Sequence, residues 1–165
     1  MSRDITPLVG HLQECIESIS ERYFKLVIVV GSFGSGKTSL LQEYYSRARE
    51  SSVYINLNHA LTKRLLDTPN HQRPLMSGEY VSEILEAFDS QILLVDNIEA
   101  LFDPELSIDA LKLLQKSSRS KILVVSWPGV YKEGEISYAE PGYRDYKSYS
   151  IKDLIIIDMN REKNR

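Results

Sequence analysis

Nine consecutive residues carry the clearest chemistry in the chain: Gly31, Ser32, Phe33, Gly34, Ser35, Gly36, Lys37, Thr38 and Ser39. The first eight match G-x-x-x-x-G-K-[ST], the pattern of a phosphate-binding loop or Walker A motif. Glycines at this spacing let the backbone curl inward, so that its N–H groups meet phosphate oxygens. The positive end of a following helix completes that concave anion site. Lys37 offers a point charge to the β- and γ-phosphates, and Thr38 offers a hydroxyl to Mg²⁺. The flanks agree. Leu26-Val27-Ile28-Val29-Val30 reads as a buried strand, and Ser39 to Tyr45 repeats at helical spacing. The implied ligand is a nucleoside triphosphate or a molecule built like one.

A second acidic position fits the same chemistry. Gln91-Ile92-Leu93-Leu94-Val95-Asp96 is an apolar run closing on an acid, the Walker B pattern. Asp96 emerges at the carboxyl end of its strand, where ligands bind in open α/β sheets. It is assigned to Mg²⁺ through coordinated water. Alone, such an aspartate reads as the opening of a turn; beside a phosphate-binding loop the metal role is the better reading.

The elements that must position these residues alternate. Leu8, Leu12, Ile16 and Ile19 share one helical face in an N-terminal helix over 6–24. Val53 to Leu57 reads as the second strand, followed by a short helix near Ala60–Leu66 that is broken around Pro69 and Pro74. A further helix follows over Tyr80–Phe88, with Ser77 available as its cap. Asp103-Pro104 opens another helix, Asp103 as cap and Pro104 in the first turn. Lys121–Ser126 and Leu154–Ile157 are the fourth and fifth strands. Nearly all-apolar strands between helices predict an α/β fold, a five-stranded, mainly parallel sheet sandwiched by helices, with no separate lid domain. Between the last two strands, 127–150 has no helical period and holds Tyr131, Tyr138, Tyr143, Tyr146 and Tyr149, five of the ten tyrosines. It reads as a hairpin or partner-contacting flap, or as a decoration packed on its own sheet. The polar end from Asn160 to Arg165 is expected to fray.

Composition bounds the rest. The 165 residues suit one domain, and 42% hydrophobic with 26% charged residues is ordinary for a globular protein. No stretch is long and apolar enough for a membrane span, and no signal-peptide layout opens the chain. The single cysteine, Cys15, leaves no internal disulfide and fits a reducing cytoplasm. A net charge of −3 argues against binding DNA through a broadly basic surface, though not against a local basic patch.

Residues outside the loop separate the kinds of phosphate-loop protein. A GTPase carries D-x-x-G after its third strand and an N/T-K-x-D motif; neither occurs here. A small-molecule kinase commonly places an acid after the second strand and several arginines in a lid. Here Asn56 ends that strand, and Arg144 is the one arginine in 127–150, so a kinase fits poorly. The remaining pattern resembles the AAA-related branch of P-loop ATPases. That resemblance implies ATP as ligand and Ser126, on the fourth strand between the two motifs, as sensor of the γ-phosphate. It also implies an arginine finger from a neighbouring subunit in a homo-oligomer, for which Arg144 is the candidate. Motor-type members place a glutamate directly after the Walker B aspartate. This chain has Asn97 there, and an amide can orient a water but cannot take its proton. Glu99 lies two residues further on and either reaches the site or begins the next turn, so unaided hydrolysis is expected to be slow.

Taken with chain length, Gly31–Thr38, Leu94-Val95-Asp96-Asn97-Ile98-Glu99, Ser126-Trp127-Pro128-Gly129 and Pro141-Gly142-Tyr143-Arg144 resemble BrxF, the family of small stand-alone P-loop proteins of BREX (bacteriophage exclusion) systems. The resemblance implies a bacterial cytoplasmic protein working beside larger defence components. Three functions stay open: an ATP-Mg²⁺-binding, weakly hydrolysing switch subunit; a nucleotide-binding scaffold without turnover; and a small-molecule kinase.

Overall fold

The computed structural model describes residues 4–162. Among them, seven strands form one sheet: β1 Leu26–Gly31, β2 Ser52–Asn56, β3 Ile92–Asp96, β4 Ile122–Lys132, β5 Glu135–Tyr138, β6 Lys147–Ser150 and β7 Ile155–Asp158. Five run parallel in the order β2-β3-β4-β1-β7, while β5 and β6 extend β4 as antiparallel strands. The helices are α1 Thr6–Ser18, α2 Lys37–Arg47, α3 Leu57–Leu66, α4 Arg73–Glu86, α5 Ala110–Ser117 and the short α6 Met159–Glu162.

The central strands are apolar on both sides because both sides are covered. Along β1, Leu26, Ile28 and Val30 enter a core shared with α3, α4 and α5. Val27 and Val29 enter a second core shared with α1 and α2. The same alternation divides β4, with Leu123, Val125 and Trp127 on one face and Val124 on the other. This two-residue period sends side chains to opposite faces and fixes the register, since a one-residue slip would exchange the two cores. The order places β4 between β1 and β3, so the phosphate-loop strand and the Asp96 strand are second neighbours.

Several elements depart from the sequence expectations. The first helix ends at Ser18, with a 3₁₀ turn over Ile19–Glu21, and does not reach 24. Helix α4 starts at Arg73 with Pro74 in its first turn, where a missing N–H costs nothing. Ser77 is therefore not its cap: it is buried inside the helix, its hydroxyl bonded to the Arg73 carbonyl. Asp103 does cap, accepting from Glu105 N at 2.9 Å, but only a three-residue 3₁₀ turn follows; Asp109 caps α5.

The largest difference lies in 127–150. Strand β4 does not close at Ser126 but continues to Lys132 and turns back through Glu133-Gly134, both at positive φ, into β5. Two residues with positive φ make the tight hairpin turn whose twist suits antiparallel strands. Gly129 permits the pairing: a β-carbon there would stand 1.8 Å from the Ser137 carbonyl oxygen. Trp127 is fully buried and donates its indole N–H to that same carbonyl at 3.1 Å. Its ring meets Phe102 and Tyr149 edge-on at 5.0 and 5.7 Å. Much of the aromatic content of the segment is thus spent on packing against its own sheet.

Candidate functional site

The phosphate loop leaves β1 at its carboxyl end and runs into α2, with Gly36 as the helix N-cap at φ +102°. A residue with a β-carbon is strained at that φ, which accounts for glycine before the lysine. The first N–H groups of α2 have no acceptor within their own helix, and that end of the helix carries partial positive charge. Lys37 is almost fully buried, and its ammonium donates to the Ser32 carbonyl at 2.8 Å. Burial lowers its pKa from the ordinary value of 10.5, with Asp96 and Glu99 opposing the shift.

A cavity of about 350 Å³ opens over this loop. Phe33, Gly34, Gly36, Lys37, Thr38, Ser39, Asp96, Asn97, Glu99 and Ser126 all line it. Four separate elements therefore bring the sequence candidates to one hollow. Gly31, Ser32 and Ser35, expected at the ligand from the motif, do not line it; Ser35 N bonds to Ser32 O at 3.1 Å within the loop. Phe33 is fully exposed at the rim. Arg144 is not at the hollow. It sits on a turn of the hairpin segment, 3.7 Å from the Glu105 carboxylate, both side chains about three-quarters exposed.

Asp96 ends β3 and is buried. Its Oδ1 accepts the Asn97 N–H at 2.9 Å, and its Oδ2 accepts the Thr38 hydroxyl at 2.8 Å. Asn97 takes positive φ, 56°, a conformation asparagine tolerates better than most residues. The turn it makes lets Glu99 face the cavity. One hydroxyl and one carboxylate are hard oxygen donors of the kind Mg²⁺ takes. No cluster of three or more His, Cys, Asp or Glu side chains that could hold a metal occurs among the described residues. The donor set therefore fits a cation that arrives with phosphate and water and takes few ligands from protein.

Three neighbours of the site were not indicated by the sequence. Tyr54 of β2 donates its hydroxyl to the same Asp96 Oδ2. Burial, then this bond, pushes its phenol far above the ordinary value. Asn58, in the first turn of α3, donates to Glu99 Oε2 at 2.7 Å and accepts from Ala100 N at 2.8 Å. Asn160 accepts from Ser32 N at 2.9 Å and donates to the Gly129 carbonyl at 3.1 Å, tying the phosphate loop to the hairpin root. The chain end thus holds structure at Asn160, because Asp158 caps the turn by accepting from Asn160 N at 3.0 Å. The rest of the fraying expectation, 163–165, lies outside the described residues.

No family model matches the chain, and no curated protein does. Solved structures do resemble it. A DNA replication initiation factor aligns at TM-score 0.50 and 17% identity, over 78% of this chain and 39% of that one. Replication initiator DnaA bound to AMPPCP and single-stranded DNA aligns at 0.49 and 16%, over 78% and 39%. Drosophila ORC bound to DNA aligns at 0.49 and 18%, over 94% and 42%. The chain spans about two-fifths of the length of these structures. At such identity the likeness is one of fold alone: a mainly parallel α/β sheet covered by helices, shared with the replication initiation factor. No helix among the described residues is long and apolar enough to cross a membrane.

Proposed function

We propose that this chain binds ATP with Mg²⁺ on Gly31–Ser39 and hydrolyses it slowly, as a switch subunit of a phage-defence assembly. The observation that carries the reading is the 2.8 Å bond from Thr38 to Asp96. It joins the phosphate loop on β1 to the acid on β3 across the intervening β4, at the mouth of a cavity lined by Lys37. The loop amides and Lys37 hold the phosphates, and Thr38 and Asp96 face the metal. When bound, the ion neutralises charge on the β- and γ-phosphates.

Glu99 is the residue assigned to the attacking water, with Asn97 and Ser126 orienting water and γ-phosphate. Asn58 already occupies one Glu99 oxygen, which supports slow turnover by the protein alone. The same bond favours a second reading, a nucleotide-binding module without turnover. Arg144 is proposed to act in a neighbouring copy, where its exposure is an advantage. The defence role and the partner components rest on the BrxF resemblance. The test is phosphate release from ATP with no acceptor present, alone and at rising protein concentration. Release that depends on Lys37 supports the ATPase. Binding without any release moves the assignment to the scaffold, and ADP formation only with an added acceptor moves it to a kinase.

A further inference from the structure

Asp96 is held by three donors, and only two of them belong to the motifs that define the site. Asn97 N–H occupies Oδ1, while Thr38 and Tyr54 both donate to Oδ2. A carboxylate has about four acceptor positions, so three protein donors leave little freedom for rotation and room for one further partner. The Thr38 hydroxyl has a single proton, and that proton is committed to Oδ2. Its lone pairs consequently face away from Asp96, toward the cavity. Where Oδ2 sits therefore decides where the Thr38 oxygen aims.

Tyr54 is built to fix that point. In the parallel register of β2 and β3, Tyr54 pairs with Leu94, two residues before Asp96. Residues two apart along a strand share a face, so Leu94 and Asp96 lie on the side of the sheet that α2 covers. Tyr54 packs against that same core, and its ring lies 6.3 Å from that of Tyr45 on α2. The phenol is thereby held between the helix that carries Thr38 and the strand that carries Asp96.

We propose that Tyr54 is a positioning residue for the divalent cation: its hydroxyl pins the Asp96 carboxylate and so aims the Thr38 oxygen at the metal. This rests on the nucleotide site proposed above. Groups that orient metal-facing residues commonly change metal affinity about 10- to 100-fold when removed. Tyr54→Phe keeps the ring and its packing and removes only the hydroxyl. Because Asn97 and Thr38 still hold Asp96, a loss near the lower end, about tenfold, is expected.

The experiment measures binding of a fluorescent ADP to wild type and Tyr54→Phe, first in EDTA and then along a Mg²⁺ titration. Electron paramagnetic resonance of Mn²⁺ in the same complexes reads the metal directly, and melting temperature checks folding. Equal affinities in EDTA with a Mg²⁺ half-saturation raised about tenfold are expected for Tyr54→Phe. In an Asp96→Ala background, which leaves no oxygen to accept from the phenol, the further change Tyr54→Phe should shift nothing, because the hydroxyl acts through that carboxylate. An unchanged half-saturation overturns the inference while leaving the nucleotide site standing. Equal losses in EDTA and in Mg²⁺ also overturn it, since Tyr54 would then support the pocket as a whole. Wild type that binds no nucleotide in either condition overturns the site and this inference together.

Discussion

Gly31 ends β1 and opens the phosphate loop, and the packing around it leaves no room for a side chain. A β-carbon there would stand 2.3 Å from Ser35 Oγ and 2.9 Å from Met159 Cβ. Carbon atoms settle about 3.5–4.0 Å apart. Ser35 and Met159 are both buried; the Ser35 hydroxyl can turn about its one torsion, but the Met159 Cβ and the Ser35 Cβ, at 3.1 Å, are fixed to backbone. In Gly31→Ala the loop or α6 must therefore move. Overpacking of this kind costs about 1–3 kcal/mol. For a domain near this size each kcal/mol moves the melting temperature roughly 2–4 °C, giving a fall of roughly 2–12 °C. The movement also carries the Ser32–Asn160 bond, so nucleotide affinity is expected to fall about tenfold, equivalent to about 1.4 kcal/mol. Scanning fluorimetry and a fluorescent-ADP titration measure the two effects. Adding Ser35→Ala removes the shorter contact and should recover part of each. Gly10→Ala on α1 is the control: nothing lies within 4 Å of its β-carbon. It should gain about 0.5–1 kcal/mol by removing a helical glycine. If Gly31→Ala melts and binds like wild type while the control behaves as stated, the close approach of loop and α6 is wrong.

Three other perturbations separate the assigned roles. Glu99→Gln keeps an oxygen for Asn58 but cannot take a proton, so turnover should fall about 100-fold or more with affinity intact; unchanged phosphate release would remove Glu99 from the chemistry. Arg144→Ala should alter stability by less than about 1 kcal/mol, because its pair with Glu105 is exposed. It should lower turnover only at concentrations where copies associate, and weaker binding with unchanged turnover would contradict a finger role. Phosphate favours the charged form of Lys37, whose pKa in the free protein lies below 10.5. Affinity should therefore hold steady below that lowered pKa and decline as pH rises through it, and calorimetry showing affinity rising across this range would contradict the assignment.

The strand, turn and helix over 26–47 are legible because their signals lie in consecutive residues, and the place of Asp96 because an apolar strand ends on it. The parallel core followed from strands with no polar face. What escaped the sequence is held by distant partners. Tyr54 meets Asp96 across 42 positions and Asn58 meets Glu99 across 41, contacts that follow from β2 lying beside β3. Asn160 meets Ser32 across 128 positions, and its short polar run reads as a fraying end because the N–H that it accepts from is far away in the chain. The 127–150 segment resisted periodicity because Trp127, Tyr138 and Tyr149 pack on Phe102 and on one another. From sequence, Pro74 reads as a break and α4 as a shorter helix over Tyr80–Phe88, whereas a first-turn proline lets the helix begin at Arg73.

Thermal melting with saturating ATP-Mg²⁺, in wild type and in Lys37→Ala, bears most directly on a polyphosphate held by this loop. Ligand at about a hundred times its Kd stabilises by roughly 2.7 kcal/mol, a rise of roughly 5–10 °C for a domain near this size. Wild type should show that rise and Lys37→Ala should lose most of it. Equal shifts in the two proteins, or none in wild type, would mean that the loop does not hold the ligand.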